Sequence, residues 1–379
     1  MKKYSVILLL LFGSVTVSSQ ATQKILPFLY KAGENGYSCF RIPAIVATTK
    51  GTLLAFAEAR KNGCGDAGNI DLVVKRSNDN GKTWSNMKTV WDDSTNTCGN
   101  PVPVVDRKTG NIILLSTWNL GTDHEKDILA GRSKDTRRVF VLSSKDDGLT
   151  WSAAKEITKD VKHPDWTWYA TGPGSAIQLQ KGKHKGRLIV SSNHVEDTAA
   201  RRNYVQAIYS DNHGKNWKLG GITLQDSMNE STIAELSDGR VMVNMRNAGK
   251  KRIRQVAVSN DAGLSWSDVY PDSTLIEPVC QGSLISFATN GIKHALAFSN
   301  PASKTARTAM TVRISYDNGK TWPFQKLLYN GPSAYSNLVM MPNHALACFY
   351  EAGYQKPYEG IVFEEIEMDN IYRLSITSR

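Results

Sequence analysis

SNDNGKTW (residues 77–84), SKDDGLTW (144–151) and SYDNGKTW (315–322) are copies of one eight-residue pattern. Two looser copies follow the same rule, SDNHGKNW (210–217) and SNDAGLSW (259–266). Each closes a short run of β-type residues, such as IDLVVKRS, VFVLSS, VQAIYS, IRQVAVS and MTVRIS. Asp or Asn ahead of Gly is turn chemistry: the side chain accepts backbone N–H bonds, and Gly supplies a positive φ. The Trp then packs back as an apolar plug. The copies begin at 77, 144, 210, 259 and 315, so the period is roughly 50–65 residues.

Between the copies lie more short strands joined by tight turns. FRIPAIVATTKGTLLAFAEAR (40–60), NPVPVVDRKTGNIILLSTWN (100–119) and STIAELSDGRVMVNMRN (231–247) each read as strand, turn, strand. No long helical periodicity interrupts them. Many evenly spaced strands with a recurrent turn predict an all-β chain, a six-bladed β-propeller. A β-sandwich or β-solenoid is the alternative. Five units carry the turn; the closing unit is expected to use chain-end strands, GIVFEEIEM (360–368) and IYRLSIT (371–377). Residues 21–379 make one propeller, with no appended carbohydrate-binding domain expected. Five equivalent turns in one ring do not make five active centres, so the turn aspartates are read as structural.

The 379 residues begin with Lys2, Lys3 and the apolar run VILLLLFGSVTV (6–17), then small and polar residues. That is the pattern of a secretory signal peptide over 1–20, too short to span a membrane comfortably. The mature chain is expected to be exported (periplasmic, cell-surface or secreted), without a stable membrane span, and monomeric. Net charge is +11. Such a surface attracts anions, but no base-reading Arg/Lys stripe and no zinc-finger spacing is present, so nucleic acid is not an expected partner. The five cysteines (39, 64, 98, 280 and 348) match no metal motif. Cys64 and Cys98 lie in loop-like segments and are candidates for a disulfide; Cys348 reads as core.

Polar residues that the fold does not need mark the chemistry. Arg41 interrupts an apolar strand start, and Arg246 and Arg307 also sit near strand ends. Three guanidiniums brought together would repel one another unless they hold a small anion such as a carboxylate. Asp66 lies in a Gly-rich loop, where a raised pKa would suit an acid; a turn-capping role is the alternative. Glu230 against the Tyr335 hydroxyl would remove a phenolic proton, and Glu351 joins that group.

FRIP at 40–43 together with the five S-x-D-x-G-x-T-W turns resembles the non-viral, six-bladed sialidases and their Asp boxes. The resemblance spans roughly residues 25–379. It implies that Arg41, Arg246 and Arg307 clamp the carboxylate of sialic acid, with Arg313 a lower-ranked choice for the third. It implies that Asp66 is the acid/base, Tyr335 the nucleophile with Glu230 its base, and Glu351 the brace of Arg41. Arg60 looks like an additional arginine beside the acid loop. Some bacterial members carry Asp near the position of Asn100, where it contacts the sugar; here that charge is missing. Trp166, Trp168 and Tyr169 are candidates for the rim, with core or edge packing the equal alternative. A Tyr suits this substrate because a carboxylate nucleophile would meet the sugar's own carboxylate with like charge. Sialidases with a tyrosine nucleophile are the established exception to the two-carboxylate scheme. The implied activity is retaining exo-α-sialidase action on sialylated glycans, glycoproteins or glycolipids, with no metal and no organic cofactor. Transfer to another acceptor, intramolecular transfer, and noncatalytic sialic acid binding are the alternatives.

Overall fold

The structure is a computed structural model that describes residues 24–196, 199–249, 251–289 and 292–366. The expected signal segment, 1–20, and the IYRLSIT stretch lie outside the described residues. The described chain is all-β apart from two short helices, Glu125–Leu129 and Thr158–Val161.

The strands form six consecutive four-stranded antiparallel meanders. The first comprises Cys39–Ala47, Leu53–Arg60, Ile70–Ser77 and Lys88–Trp91. The second comprises Thr97–Val105, Ile112–Asn119, Arg138–Ser144 and Lys155–Glu156. A single parallel bridge, Ile70 to Thr97, joins the two into one sheet. The third runs Trp166–Thr171, Leu188–Glu196, Arg202–Ser210 and Lys218–Ile222, with Ile177–Gln178 extending its first strand. The fourth runs Met228–Glu235, Val241–Asn247, Ile253–Ser259 and Tyr270–Ile276.

The fifth and sixth units share one long strand, Phe324–Met340. Its first half pairs with Thr308–Ser315, which continues through Ile292–Pro301 to Ser283–Thr289. Its second half pairs with Leu346–Ala352, followed by Gly360–Ile366. Gly360–Ile366 belongs to the sixth unit as expected, and among the described residues the outermost strand of that unit is Phe28–Lys31, from the N-terminal side. A strand from one end of the chain completing the unit made by the other fastens first and last units together.

The core is divided in the same way. Six apolar clusters lie between successive units, and one of them packs the last unit against the first: Ile45, Leu53 and Phe40 meet Val339, Phe349 and Ile361 around Tyr30. The strands alternate so that both faces of each meander are covered, as stacked sheets require.

The repeated turns sit at these interfaces. In the first, the Ser77 hydroxyl meets Asp79 and accepts the Gly81 N–H at 2.9 Å, while Asp79 accepts the N–H and hydroxyl of Thr83 at 2.9 and 2.6 Å. Asn80 and Gly81 both have positive φ, 59° and 81°. The Thr83 bonds hold the Asp79 carboxyl down at about 2. A Cβ on Gly81 would lie 2.2 Å from Phe363 of the sixth unit; on Gly148, 2.8 Å from Leu54 of the first; on Gly214, 2.5 Å from Ile113 of the second. Each of these turns therefore presses its glycine against the preceding unit, which ties the motif to the packing of one unit on the next at five of the six interfaces.

The disulfide joins Cys39 to Cys64, with Cα atoms 5.3 Å apart. The expected Cys64–Cys98 pairing is therefore wrong. Cys98 belongs to the innermost strand of the second unit and points into the apolar layer between units one and two. Cys39 pairs in register with Arg60, four residues before Cys64, so the loop needs only to fold back over its own strand. Cys348 is buried, as read from the sequence.

Candidate active site

Five innermost strands carry a register break at the same end of the molecule. The breaks fall between Arg41 and Ala44, Gly99 and Val102, Trp166 and Tyr169, Met228 and Ser231, and Ser333 and Ser336. Bulges re-aim side chains and are common beside active sites. Here they turn Arg41, Asn100, Trp168, Glu230 and Tyr335 into one cavity of about 370 Å³. Two of the bulges place a residue before proline at positive φ, Ile42 at 57° and Asn100 at 54°. For β-branched Ile42 this is a strained conformation, held by its N–H donating to Glu351 Oε1 at 2.9 Å.

The three arginines singled out from the sequence all line this cavity. Arg41 is buried and donates through Nε and Nη2 to Glu351 at 3.1 and 3.3 Å. Burial works against its charge, but Glu351, with Tyr335, Tyr358 and Asp66 after it, together hold the guanidinium well above its ordinary value. Arg246 bonds Glu230 through Nη1 and donates to the Tyr335 hydroxyl at 3.2 Å. Arg307 donates to the Tyr358 hydroxyl at 2.6 Å and to the Val279 carbonyl at 3.3 Å, with no carboxylate in ion-pair reach among the described residues. Three guanidiniums faced by two paired carboxylates leave net positive charge on this wall, a site for an anion. Arg313 instead turns into the fifth unit, with its Nη1 3.3 Å from Asn300 Oδ1.

The Tyr335 hydroxyl donates to Glu230 Oε1, while the Tyr335 ring lies 5.0 Å from the Arg41 guanidinium and 5.6 Å from that of Arg307. Burial, reinforced by Glu230, pushes the phenol well above its ordinary range, so it is protonated at rest. Glu351 also accepts the Tyr335 N–H at 3.1 Å. One carboxylate therefore holds both Arg41 and the backbone that carries the phenol.

Asp66 stands across the cavity on the disulfide-anchored loop. Its side chain is 67% exposed and lies 2.8 Å from Arg60 and 3.3 Å from Arg41. Burial would raise its pKa, but Arg60 and then Arg41 outweigh it and hold the carboxyl below its usual value. This corrects the expectation of a raised pKa: the loop brings the carboxyl to two cations rather than to apolar side chains. Arg60 is buried, paired with Glu58 through Nε at 3.0 Å, and donates to the Cys64 and Gly65 carbonyls at 2.6 and 2.9 Å. It thus organises the acid loop from behind.

Asn100 joins this group through Glu58. Its N–H donates to Glu58 Oε1 at 2.7 Å and its side-chain oxygen accepts from Arg137. Arg137 was not singled out in the sequence. It is buried, its guanidinium packs 4.2 Å from the Trp168 ring, and burial pulls it down to about 10 against the pull of Glu58. Behind it, the Lys162 ammonium donates to the Arg137 and Thr167 carbonyls, each at 2.9 Å, and fixes this wall. Of the three aromatic candidates only Trp168 reaches the cavity; Trp166 and Tyr169 are core. Tyr358, whose ring lies 4.2 Å from the Arg41 guanidinium, and Glu125 complete the mouth. No sequence signal marked these residues, because their loops carry no motif. Among the described residues, no group of three or more His, Cys, Asp or Glu forms a metal cage.

Residues 51–348 match the family model of a BNR repeat-like domain. A curated sialidase of Micromonospora viridifaciens is 34% identical over 338 residues, covering 85% of this chain and 51% of that protein. An exo-alpha-sialidase of Aspergillus fumigatus is 34% identical over 299 residues, covering 74% of this chain and 69% of the other. This chain belongs to the non-viral sialidase family. The solved Hadza microbial sialidase Hz136 superposes on this family member with a TM-score of 0.81 at 30% identity, over 90% of this chain and 68% of that one. The chain spans about half the length of the Micromonospora sialidase. Within this sialidase-family chain, Arg41, Arg60, Asp66, Asn100, Glu230, Arg246, Arg307 and Tyr335 line the cavity and Glu351 backs it, whereas Arg313, Trp166 and Tyr169 do not reach it.

Proposed function

We propose that the chain is an exported, monomeric exo-α-sialidase built as a six-bladed β-propeller. Its substrates are the terminal sialic acids of glycoproteins, glycolipids and oligosaccharides. The reading of the fold is supported by six meanders in series with apolar layers between neighbours, including last against first. The observation that carries the reading of the chemistry is the Tyr335 phenol bonded to Glu230 beside Arg41, Arg246 and Arg307.

In this mechanism the three guanidiniums hold the sugar carboxylate and place the anomeric carbon over the phenol oxygen. The phenol attacks as its proton passes to Glu230, which the existing hydrogen bond already aligns. Asp66, protonated, gives its proton to the departing glycosidic oxygen, leaving a sialyl-tyrosine. Asp66 then takes a proton from water, the water oxygen attacks the anomeric carbon, and the Tyr335–sugar bond breaks with the proton on Glu230 returning to the phenolate. Two inversions give net retention. Arg41 links the steps: its Nη1 contacts Asp66. A bound carboxylate takes up that guanidinium and adds negative charge, so Asp66 becomes easier to protonate once substrate is in place. The export reading is supported by the basic start and apolar run of residues 1–20.

The test is cleavage of a fluorogenic α-sialoside followed by proton NMR. Release of the α anomer first is the expected result. The β anomer first excludes the two-step scheme, an anhydro sugar points to intramolecular transfer, and no cleavage by folded protein ends the proposal.

A further inference from the structure

The loop that carries Asp66 has few ties to the rest of the molecule. Residues 61–69 join Leu53–Arg60 to Ile70–Ser77. Hydrogen bonds close the base of this loop. The Lys61 N–H donates to the Asn69 carbonyl at 3.1 Å, the Ser38 hydroxyl to the Lys61 carbonyl at 2.6 Å, and the Gly68 N–H to Thr97 Oγ1 at 3.1 Å. The tip is different. A Cβ added at Gly63, Gly65 or Gly68 would meet nothing within 4 Å, so no neighbouring element packs against these positions.

Two kinds of tie hold the tip. One is ionic and polar: Arg60 Nη1 reaches the Cys64 and Gly65 carbonyls and Asp66 Oδ1, and Arg41 Nη1 reaches the same carboxylate. The other is covalent, the Cys39–Cys64 disulfide, attached two residues before Asp66. The halves of this bond differ in access. Cys39 is wholly buried on the strand that continues into Arg41, whereas Cys64 is exposed and lines the cavity.

We propose that Cys64 is a thiol–disulfide exchange site, open to small thiols through the cavity, and that the state of its bond sets how firmly Asp66 is held. This role rests on the sialidase reading, in which Asp66 is the acid, and adds redox control to it. A small thiolate attacks Cys64 Sγ, the bond to Cys39 breaks, and its electron pair, then a proton, goes to the Cys39 sulfur. A second thiolate attacks the small-molecule sulfur of the mixed disulfide and releases Cys64, which takes a proton as a thiol. Two small thiols are thereby oxidised to one disulfide while the protein's bond is reduced. Burial blocks the alternative attack at Cys39. With the bond open, the tip keeps only its contacts to the guanidiniums, and the Asp66 side chain, 67% exposed, exchanges those contacts with water. The strands beneath stay paired, so the arginines that hold the substrate carboxylate keep their places while proton donation is lost. Full activity therefore belongs to compartments in which disulfides persist.

The test treats the folded protein with glutathione. Mass spectrometry should find the adduct on Cys64, and not on the buried Cys39, Cys98, Cys280 or Cys348. Tryptic cleavage after the exposed Lys61 should speed up about tenfold once the bond is open. On a small α-sialoside, kcat should fall about tenfold with KM within about twofold, and glutathione disulfide should restore it. Cys64→Ser should show the same loss of kcat and no further response to thiol, its retained KM reporting an intact fold and clamp. Failure of glutathione to add before the protein unfolds, or addition first at another cysteine, overturns the exchange site. An open bond with kcat unchanged, or with cleavage after Lys61 unchanged, overturns the control of Asp66. Absence of sialoside cleavage by the untreated protein counts instead against the sialidase reading, and the adduct and proteolysis readouts still judge the exchange site.

Discussion

Tyr335 and Asp66 bear opposite demands. The phenol must stay neutral until attack, and burial beside Glu230 keeps it protonated. Tyr335→Phe keeps the packing under Arg41 and removes the oxygen; kcat on an α-sialoside should fall at least about a hundredfold, with thermal stability little changed. Full turnover by that variant would displace Tyr335 as nucleophile. Asp66 must be protonated to act as an acid, yet Arg60 and Arg41 lower its pKa. Activity therefore falls as pH rises through the Asp66 pKa. The alkaline limb of kcat/KM reports the free protein, that of kcat the complex. With the substrate carboxylate occupying Arg41, the kcat limb should lie at higher pH than the kcat/KM limb. Coincident limbs in the pH profiles would mean that substrate does not retune Asp66. At this scale Arg41 stood out as a charge in an apolar strand, whereas the roles of Asp66, Glu230, Arg246, Arg307 and Tyr335 followed from the resemblance carried by FRIP and the repeated turns. Arg137 and Tyr358 were not legible: an Arg or Tyr in an irregular loop looks like any surface residue until its neighbours are known.

Among the elements, the repeated turn and the bulge divide the labour. The turn is a local device, closed by Ser, Asp and Thr within one octapeptide, and it was readable from three letters in register. Its glycine answers to a partner far away in sequence. Gly148→Ala would place a methyl group 2.8 Å from Leu54 Cδ1 at a backbone φ of 78°. The expected cost is about 1–3 kcal/mol in chemical denaturation, with kcat unaffected, since the turn lies outside the cavity. An unchanged midpoint would show that the interface is loose there. The bulges were not readable. Pro43 and Pro101 hint at breaks in pairing, but which residue turns inward depends on the partner strand's register. The disulfide was misread for the same reason: two cysteines in loop-like segments say nothing about which strand lies beneath each loop.

Across the whole molecule, closure is the stabilising event. Tyr30, on the N-terminal strand, is 1% exposed, donates to the Ala55 carbonyl at 2.8 Å and packs against Phe40 and Phe349. It touches both the first and the sixth unit. Tyr30→Ala should cost about 3–5 kcal/mol and reduce cooperativity in a denaturant titration. A loss confined to about 1 kcal/mol would mean that other contacts carry the closure. Among the described residues no helix is long and apolar enough to cross a membrane.

By itself, the sequence determined the strand period, the five turns and the identity of the residues with chemistry to offer, since each of these depends on contacts within a few residues. The tertiary structure alone decided that six mouth-facing loops meet, that Cys39 takes Cys64, that Asp66 lies against two guanidiniums, and that Phe28–Lys31 completes the last unit. Those outcomes depend on distances between residues up to some three hundred positions apart, as from Arg41 to Glu351. Such distances follow from how the sheets stack on one another, a property that no window of the sequence contains.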